Sequence, residues 1–227
     1  MAFGAFVREA TPVDISGTSA TIGGAGFAAN VTAGNLLVLA VRVGATGRTV
    51  TVTSDSTPTP FTLAVTQAQT ADAHQTYIYH GINQAGGVKP TITVGIDGAS
   101  ASMRLLLCEY EASANTEKDQ TASAEDNSSG VNAISSGATG TRAADAELQI
   151  GVMSLADDAG VEAEGTGFTL RALVTNKVYL EDVVRTAAGT QAATFSTTTT
   201  QPWACLTATY KDEAGGAVDS NFIFSRW

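Results

Sequence analysis

Asn35-Leu36-Leu37-Val38-Leu39-Ala40-Val41-Arg42-Val43 is the longest apolar run of the chain, and Arg42 is its one charged interruption. The run is far shorter than the roughly 18 to 20 residues that a membrane-spanning helix requires. Its aliphatic and β-branched content reads instead as a buried strand. Strand-like runs bounded by Gly, Asp, Asn or Pro recur on both sides of it, at 35–43, 48–54, 61–66, 75–82, 90–96, 102–111, 147–155, 168–174, 177–185, 191–196 and 203–211. About eleven such runs suffice for two packed sheets. Asp97-Gly98, Gly86-Gly87 and Gly189 supply residues tolerant of positive φ at the breaks. No window sustains a 3.6-residue apolar period between credible caps, so helices are expected to be short or absent.

The run also has a counterpart later in the chain. In the first half Leu36-Leu37-Val38-Leu39 is followed by Phe61-Thr62-Leu63, Tyr77-Ile78-Tyr79, Ala85-Gly86, Thr91-Ile92-Thr93-Val94 and Leu105-Leu106-Leu107-Cys108-Glu109-Tyr110. In the second, Glu147-Leu148-Gln149-Ile150-Gly151-Val152-Met153 is followed by Phe168-Thr169-Leu170, Val178-Tyr179-Leu180, Ala188-Gly189, Ala193-Thr194-Phe195 and Ala204-Cys205-Leu206-Thr207-Ala208-Thr209-Tyr210. Each half alone would leave one face of its strands uncovered, so a shared core is expected. The fold class this predicts is all-β, a jelly-roll-like two-sheet β-sandwich built from two pseudo-repeated halves, about 34–111 and 146–211, within one domain over residues 1–211. Residues 112–132, polar and almost without apolar content, read as a long surface excursion between the halves. Residues 212–227 read as a C-terminal arm.

Composition narrows the function classes. Twelve Lys plus Arg against twenty-two Asp plus Glu give a net charge of −10, which removes the cationic field on which phosphate-backbone binding depends; nucleic acid is not an expected partner. The amino terminus lacks the basic, apolar and cleavage segments of a secretory signal, so synthesis in a cytoplasm is expected, and no membrane association. Cys108 and Cys205 sit inside apolar runs and are expected as free thiols in a reducing compartment.

Motifs for chemistry are sparse. Glu109 and Glu111, like Glu162 and Glu164, have the same-face strand spacing of roughly 6.5 to 7 Å that an acid/base pair can use, yet read as solvated carboxylates near strand ends. His74 and His80 share strand parity but are roughly 20 Å apart along an extended chain, so they cannot share a metal, and they read as surface or strand-end residues. Asp97, Asp157-Asp158 and Glu125-Asp126-Asn127 offer oxygen ligands without the alternating spacing of a calcium loop. Trp203, which opens the last core strand, reads as a core or rim residue. The threonine run 197–200 reads as a β-prone loop or edge, and the Asn30-Val31-Thr32 and Asn127-Ser128-Ser129 triplets carry no weight without secretion. No nucleophile elbow, phosphate loop or Cys/His pair is found. No catalytic residue, metal site or cofactor is therefore expected, and the chain is not expected to be an enzyme.

After the hinge-like Asp212-Glu213-Ala214-Gly215-Gly216 comes Phe222-Ile223-Phe224-Ser225-Arg226-Trp227. In an extended segment Phe222 and Phe224 point one way and Ile223 and Trp227 the other, so both faces are apolar and must be covered. Phe222, Ile223, Phe224 and Trp227 are expected at an intermolecular contact.

The succession Gly34-Asn35-Leu36-Leu37-Val38, Phe61-Thr62-Leu63, Ala85-Gly86-Gly87 and Glu109-Tyr110 resembles β-sandwich proteins encoded among the structural genes of tailed bacteriophages. Ala146-Glu147-Leu148-Gln149-Ile150-Gly151, Gly167-Phe168-Thr169-Leu170, Ala188-Gly189 and Trp203-Ala204-Cys205 repeat it. The resemblance covers about residues 34–211 and consists of strand and turn patterns. It implies a structural protein of the virion, made in the host cytoplasm, decorating the capsid exterior through contacts with capsid or other virion proteins and forming homo-oligomers. The alternative is a glycan-binding module for attachment to a polysaccharide or host surface, which would require exposed aromatic platforms.

Overall fold

The computed structural model describes residues 3–56, 60–127, 133–142, 146–157, 162–175 and 177–212. Among these residues, seventeen strands form four antiparallel sheets. In the N-terminal half, β1 (Phe6–Glu9), β2 (Val13–Gly17), β4 (Leu36–Val43), β6 (Thr62–Gln69), β7 (His74–Gly81) and β9 (Ala101–Tyr110) make a six-stranded sheet ordered β1-β9-β4-β7-β6, with β2 on the same edge of β9 as β1. β3 (Ser19–Gly23), β5 (Val50–Ser54) and β8 (Thr91–Ile96) make a three-stranded sheet ordered β3-β8-β5.

In the C-terminal half, β10 (Thr116–Asp126), β12 (Glu147–Leu155), β14 (Thr169–Val174), β15 (Val178–Arg185) and β17 (Trp203–Asp212) are ordered β10-β17-β12-β15-β14. β11 (Ala133–Ser135), β13 (Glu162–Glu164) and β16 (Thr194–Thr197) are ordered β11-β16-β13. The same order of pairing runs through both halves: β9-β4-β7-β6 matches β17-β12-β15-β14, and β3-β8-β5 matches β11-β16-β13.

Strand parity explains how the sheets stack. Every residue of β4 is buried because both of its faces are covered. Leu37, Leu39, Val41 and Val43 pack with Ile22, Ile92, Val94, Leu105 and Leu107 in a core between the two N-terminal sheets. Leu36, Val38 and Ala40 point the other way, to meet Leu148, Ile150, Val152, Leu206 and Tyr210 of the C-terminal half. A third core, with Met153, Leu155, Phe195, Trp203 and Cys205, lies between the two C-terminal sheets. The four sheets therefore stack as small, large, large, small. The shared core expected between the halves is present as the seam between the two large sheets, and each half has in addition its own outer sheet and its own core. A strand covered on both faces carries a continuous apolar run in place of alternation, which is why β4 and the Leu105–Cys108 part of β9 stand out in the sequence.

One expectation is overturned. Within the span 112–132 read as a surface excursion, residues 116–126 form β10, paired with β17 from Thr116 opposite Asp212 to Asp126 opposite Trp203. As an edge strand β10 is bound by backbone hydrogen bonds, and its polar side chains are used against the neighbouring edge. Ser123 Oγ donates to Gln67 Oε1 at 2.8 Å, and Glu125 Oε2 accepts from Thr70 N at 2.7 Å. An edge strand of this kind needs little apolar content.

Candidate functional site

The charged interruption of the apolar run, Arg42, leads to the most organised polar cluster. Asp72 lies in the turn between β6 and β7, and its Oδ2 contacts both Arg42 Nη2 at 2.9 Å and His74 Nδ1 at 2.8 Å. His74 Nε2 lies 2.9 Å from Ser154 Oγ on β12, which in turn lies 2.6 Å from Thr76 Oγ1. The connectivity carboxylate–imidazole–hydroxyl is that of a serine hydrolase triad.

The environment of the cluster is a buried one. His74, Thr76 and Ser154 are fully buried, and only Asp72 reaches solvent. Burial, reinforced by the Arg42 guanidinium, lowers His74 to about 4, while Asp72 opposes that shift. The Ser154 hydroxyl is buried between His74 and Thr76. Three grooves among the described residues are lined by Glu9, Pro12 and 170–173, by Asp55, Ser56, Ala85, Gly86, Val88 and Lys89, and by Phe3, 111–113 and Asp212. The cluster thus ties β4 and β7 of one half to β12 of the other at one end of the seam. Arg104 extends it, donating from Nε to Thr175 Oγ1 at 2.7 Å and facing Asp14 at 3.5 Å.

The opposite end of the seam is built around His80. Its ring packs edge-on against Tyr210, with centroids 5.4 Å apart, and its Nδ1 has no hydrogen-bond partner among the described residues. Burial, with Lys118 nearby, lowers His80 to about 4. Close by, Phe6 packs edge-on to Tyr110 at 5.8 Å and lies under the Arg171 guanidinium at 4.6 Å. Arg171 forms a two-pronged pair with Asp182 at 2.7 and 3.1 Å.

A second polar cluster lies inside the C-terminal sandwich. Aligning Leu36 opposite Tyr110 with Leu148 opposite Tyr210 sets the register between the halves. Leu37, Leu39, Tyr79 and Leu107 of the first core then correspond to Gln149, Gly151, Glu181 and Thr207. Glu181 is fully buried. Its Oε2 accepts from Gly165 N at 2.9 Å, and a Cβ on Gly151 would come within 2.7 Å of its Oε1. Burial raises the Glu181 carboxyl to about 8 against the opposing pull of the Gly165 and Thr194 backbone donors, so it is largely protonated at neutral pH. Gln149 Nε2 donates to Thr207 Oγ1 at 3.2 Å, and Thr207 donates to Ile150 O at 2.8 Å. Arg142 and Glu147 are buried beside them, 3.8 Å apart. Burial and the neighbouring Asp119 raise the Glu147 carboxyl.

Several residues singled out in the sequence fall in unexpected places. Both histidines are buried in the seam, not at the surface, because β7 presents them to the C-terminal half. Glu109 is not solvated: its Oε1 accepts from Thr32 N at 2.8 Å and Asn35 Nδ2 at 2.7 Å, and its Oε2 meets Arg8 at 2.9 Å. It pins the amino-terminal strand and the 30–35 loop to β9. Glu111 is half-buried at a groove mouth. Glu162 accepts from Tyr179 Oη at 2.7 Å, and Glu164 is exposed.

Asp97 Oδ1 accepts from Thr49 N at 2.9 Å, a turn-capping role. Glu125 and Asn127 fasten β10 to the β6–β7 turn. Trp203 is buried in the third core. Cys108 and Cys205 are free, one in the seam and one in the third core. Among the described residues no group of three or more His, Cys, Asp or Glu is placed to hold a metal ion. Phe222, Ile223, Phe224 and Trp227, like Asp158, lie outside the described residues. No known family, no characterised protein and no solved structure matches this chain.

Proposed function

We propose that the chain is a structural protein of a tailed-bacteriophage particle, decorating the capsid exterior through protein–protein contacts. The observation that carries this reading is the use made of Asp72, His74 and Ser154: this catalytic-looking constellation is enclosed in the seam and holds two sandwiches together. Its chemistry is directed at cohesion, not at a substrate. The strand connectivity of each half is compatible with a jelly roll, and we read the two halves as a duplicated pair. The virion setting itself rests on the sequence resemblance.

The glycan-binding alternative needs rings exposed for stacking, and among the described residues no Phe, Tyr or Trp is exposed. The contact to the particle, or to a second copy, is assigned to Phe222, Ile223, Phe224 and Trp227. Deleting residues 219–227 tests this. The expected product is a folded, soluble domain that has lost self-association in light scattering and no longer binds capsids. A truncated chain that unfolds, beside a full-length chain that is monomeric and indifferent to capsids, contradicts the reading.

A further inference from the structure

We infer that the seam between the two sandwiches is an acid-labile joint, closed only while both histidines of the chain are uncharged. His74 and His80 are the chain's two histidines, and both project from the same face of β7 into the C-terminal half. They occupy opposite ends of one apolar layer, so each locks a different end.

At His74 there is one carboxylate for two cations. Asp72 Oδ2 already serves the buried Arg42, and Lys177 is a further positive charge facing the ring. In the neutral ring an Nδ1–H directed at Asp72 leaves Nε2 to accept from Ser154, whose oxygen can accept from Thr76. Protonation of Nε2 reverses that bond. Ser154 must then accept from the imidazolium and turn its own proton on Thr76.

At His80 the geometry is less forgiving. Its neighbours are the Tyr210 ring of β17 and the Lys118 ammonium of β10, and its Nδ1 has no acceptor among the described residues. A proton on Nδ1 puts a donor without an acceptor against an apolar layer, beside another cation.

Each half keeps a core of its own, so relief comes most directly by parting the two large sheets while the strands stay paired. With folded values of about 4 against 6.5 for an exposed ring, two histidines raise the opening constant about 500-fold between pH 7 and pH 5. One histidine alone would give about 20-fold.

The two cysteines report on opening independently. Cys108 faces the seam and Cys205 the third core. Labelling of the full chain with a dipyridyl disulfide, which stays reactive in acid because its leaving group is protonated, is followed at each thiol by mass spectrometry. Rates are divided by those of the unfolded chain at the same pH. Cys108 is expected to accelerate by a few hundredfold from pH 7 to pH 5 while Cys205 stays protected. His80→Phe, which retains a ring against Tyr210, is expected to cut the Cys108 rise to about 20-fold, and adding His74→Gln to remove it. Should the double variant fail to fold, His80→Phe alone decides. Parallel acceleration of both thiols, no acceleration of either, or an undiminished Cys108 rise in His80→Phe overturns the inference.

Discussion

Glu181→Gln isolates the cost of placing an ionisable group where the other half carries Tyr79. The carboxyl is fully buried and its pKa rises from 4.5 to about 8. Between those values the folded chain holds a proton that the unfolded chain has released, so this group's contribution is intact below pH 4.5 and is lost as pH rises through 8. At pH 7 the loss spans 2.5 units, about 3 kcal/mol, growing to about 5 kcal/mol above pH 8. Glutamine keeps the shape and the acceptor for Gly165 N but cannot ionise. Its amide faces Gly151 and Ala193 and costs about 1 kcal/mol if it finds no acceptor there.

Urea denaturation of both proteins from pH 4.5 to 9 should therefore give curves that nearly coincide at the acid end. They should then diverge by about 1.4 kcal/mol per pH unit up to pH 8, the variant being the more stable. In melting temperature at pH 7 the gain is about 5 to 10 °C for a chain of this length. A constant offset across the whole pH range would refute the assignment of a neutral, buried Glu181.

Three further substitutions test the packing. Leu106→Ala removes a fully buried side chain from the seam and is expected to cost about 2 to 5 kcal/mol in urea denaturation, with the slope unchanged if only the cavity matters. Asp72→Ala leaves the 3% exposed Arg42 without its carboxylate; because Asp72 itself is about a third exposed, a loss of about 2 to 4 kcal/mol is expected, below the full cost of breaking a buried pair. Gly86→Ala forces a Cβ to 2.3 Å from Ala33 N at a φ of +71°, and a melting temperature lowered by about 5 °C or more is expected. An unchanged melt would mean that the 84–88 loop is not held against 31–34.

The strands that are easiest to read in the sequence are those covered twice. Leu36 to Val43 needs no partner information to be recognised, and neither does Leu105 to Cys108, because each residue meets apolar atoms on one side or the other. The strands that escape notice are edges. Val13–Gly17 leaves Asp14, Ile15 and Ser16 exposed and is held by backbone pairing to β9, so its side chains carry little signal. The same holds for β10, whose Glu125, like the Asn127 that follows it, finds its partner at the end of β6 and the turn after it, more than fifty residues away.

The polar clusters follow a similar logic. Arg42 stands out in an aliphatic run, but its partner Asp72 lies thirty residues on, beyond Asp55, and nothing in the sequence selects it. Ser154, on the other half, could be placed only by the stacking of the sheets. Glu109 reads as solvated in the sequence because its burial depends on Arg8, from the edge strand β1, and on Asn35, from the loop before β4. Gly151, breaking the run Leu148-Gln149-Ile150-Gly151-Val152, marked the close approach of Glu181 without naming what approaches.

The most direct test of the virion reading is mass spectrometry of phage particles from the strain that carries the gene, purified through a density gradient and washed at high salt. The chain is predicted to travel with the particles at a fixed ratio to the major capsid protein, and to be released or absent when residues 219–227 are deleted. A chain found only in the soluble lysate, with none in washed particles, contradicts the account.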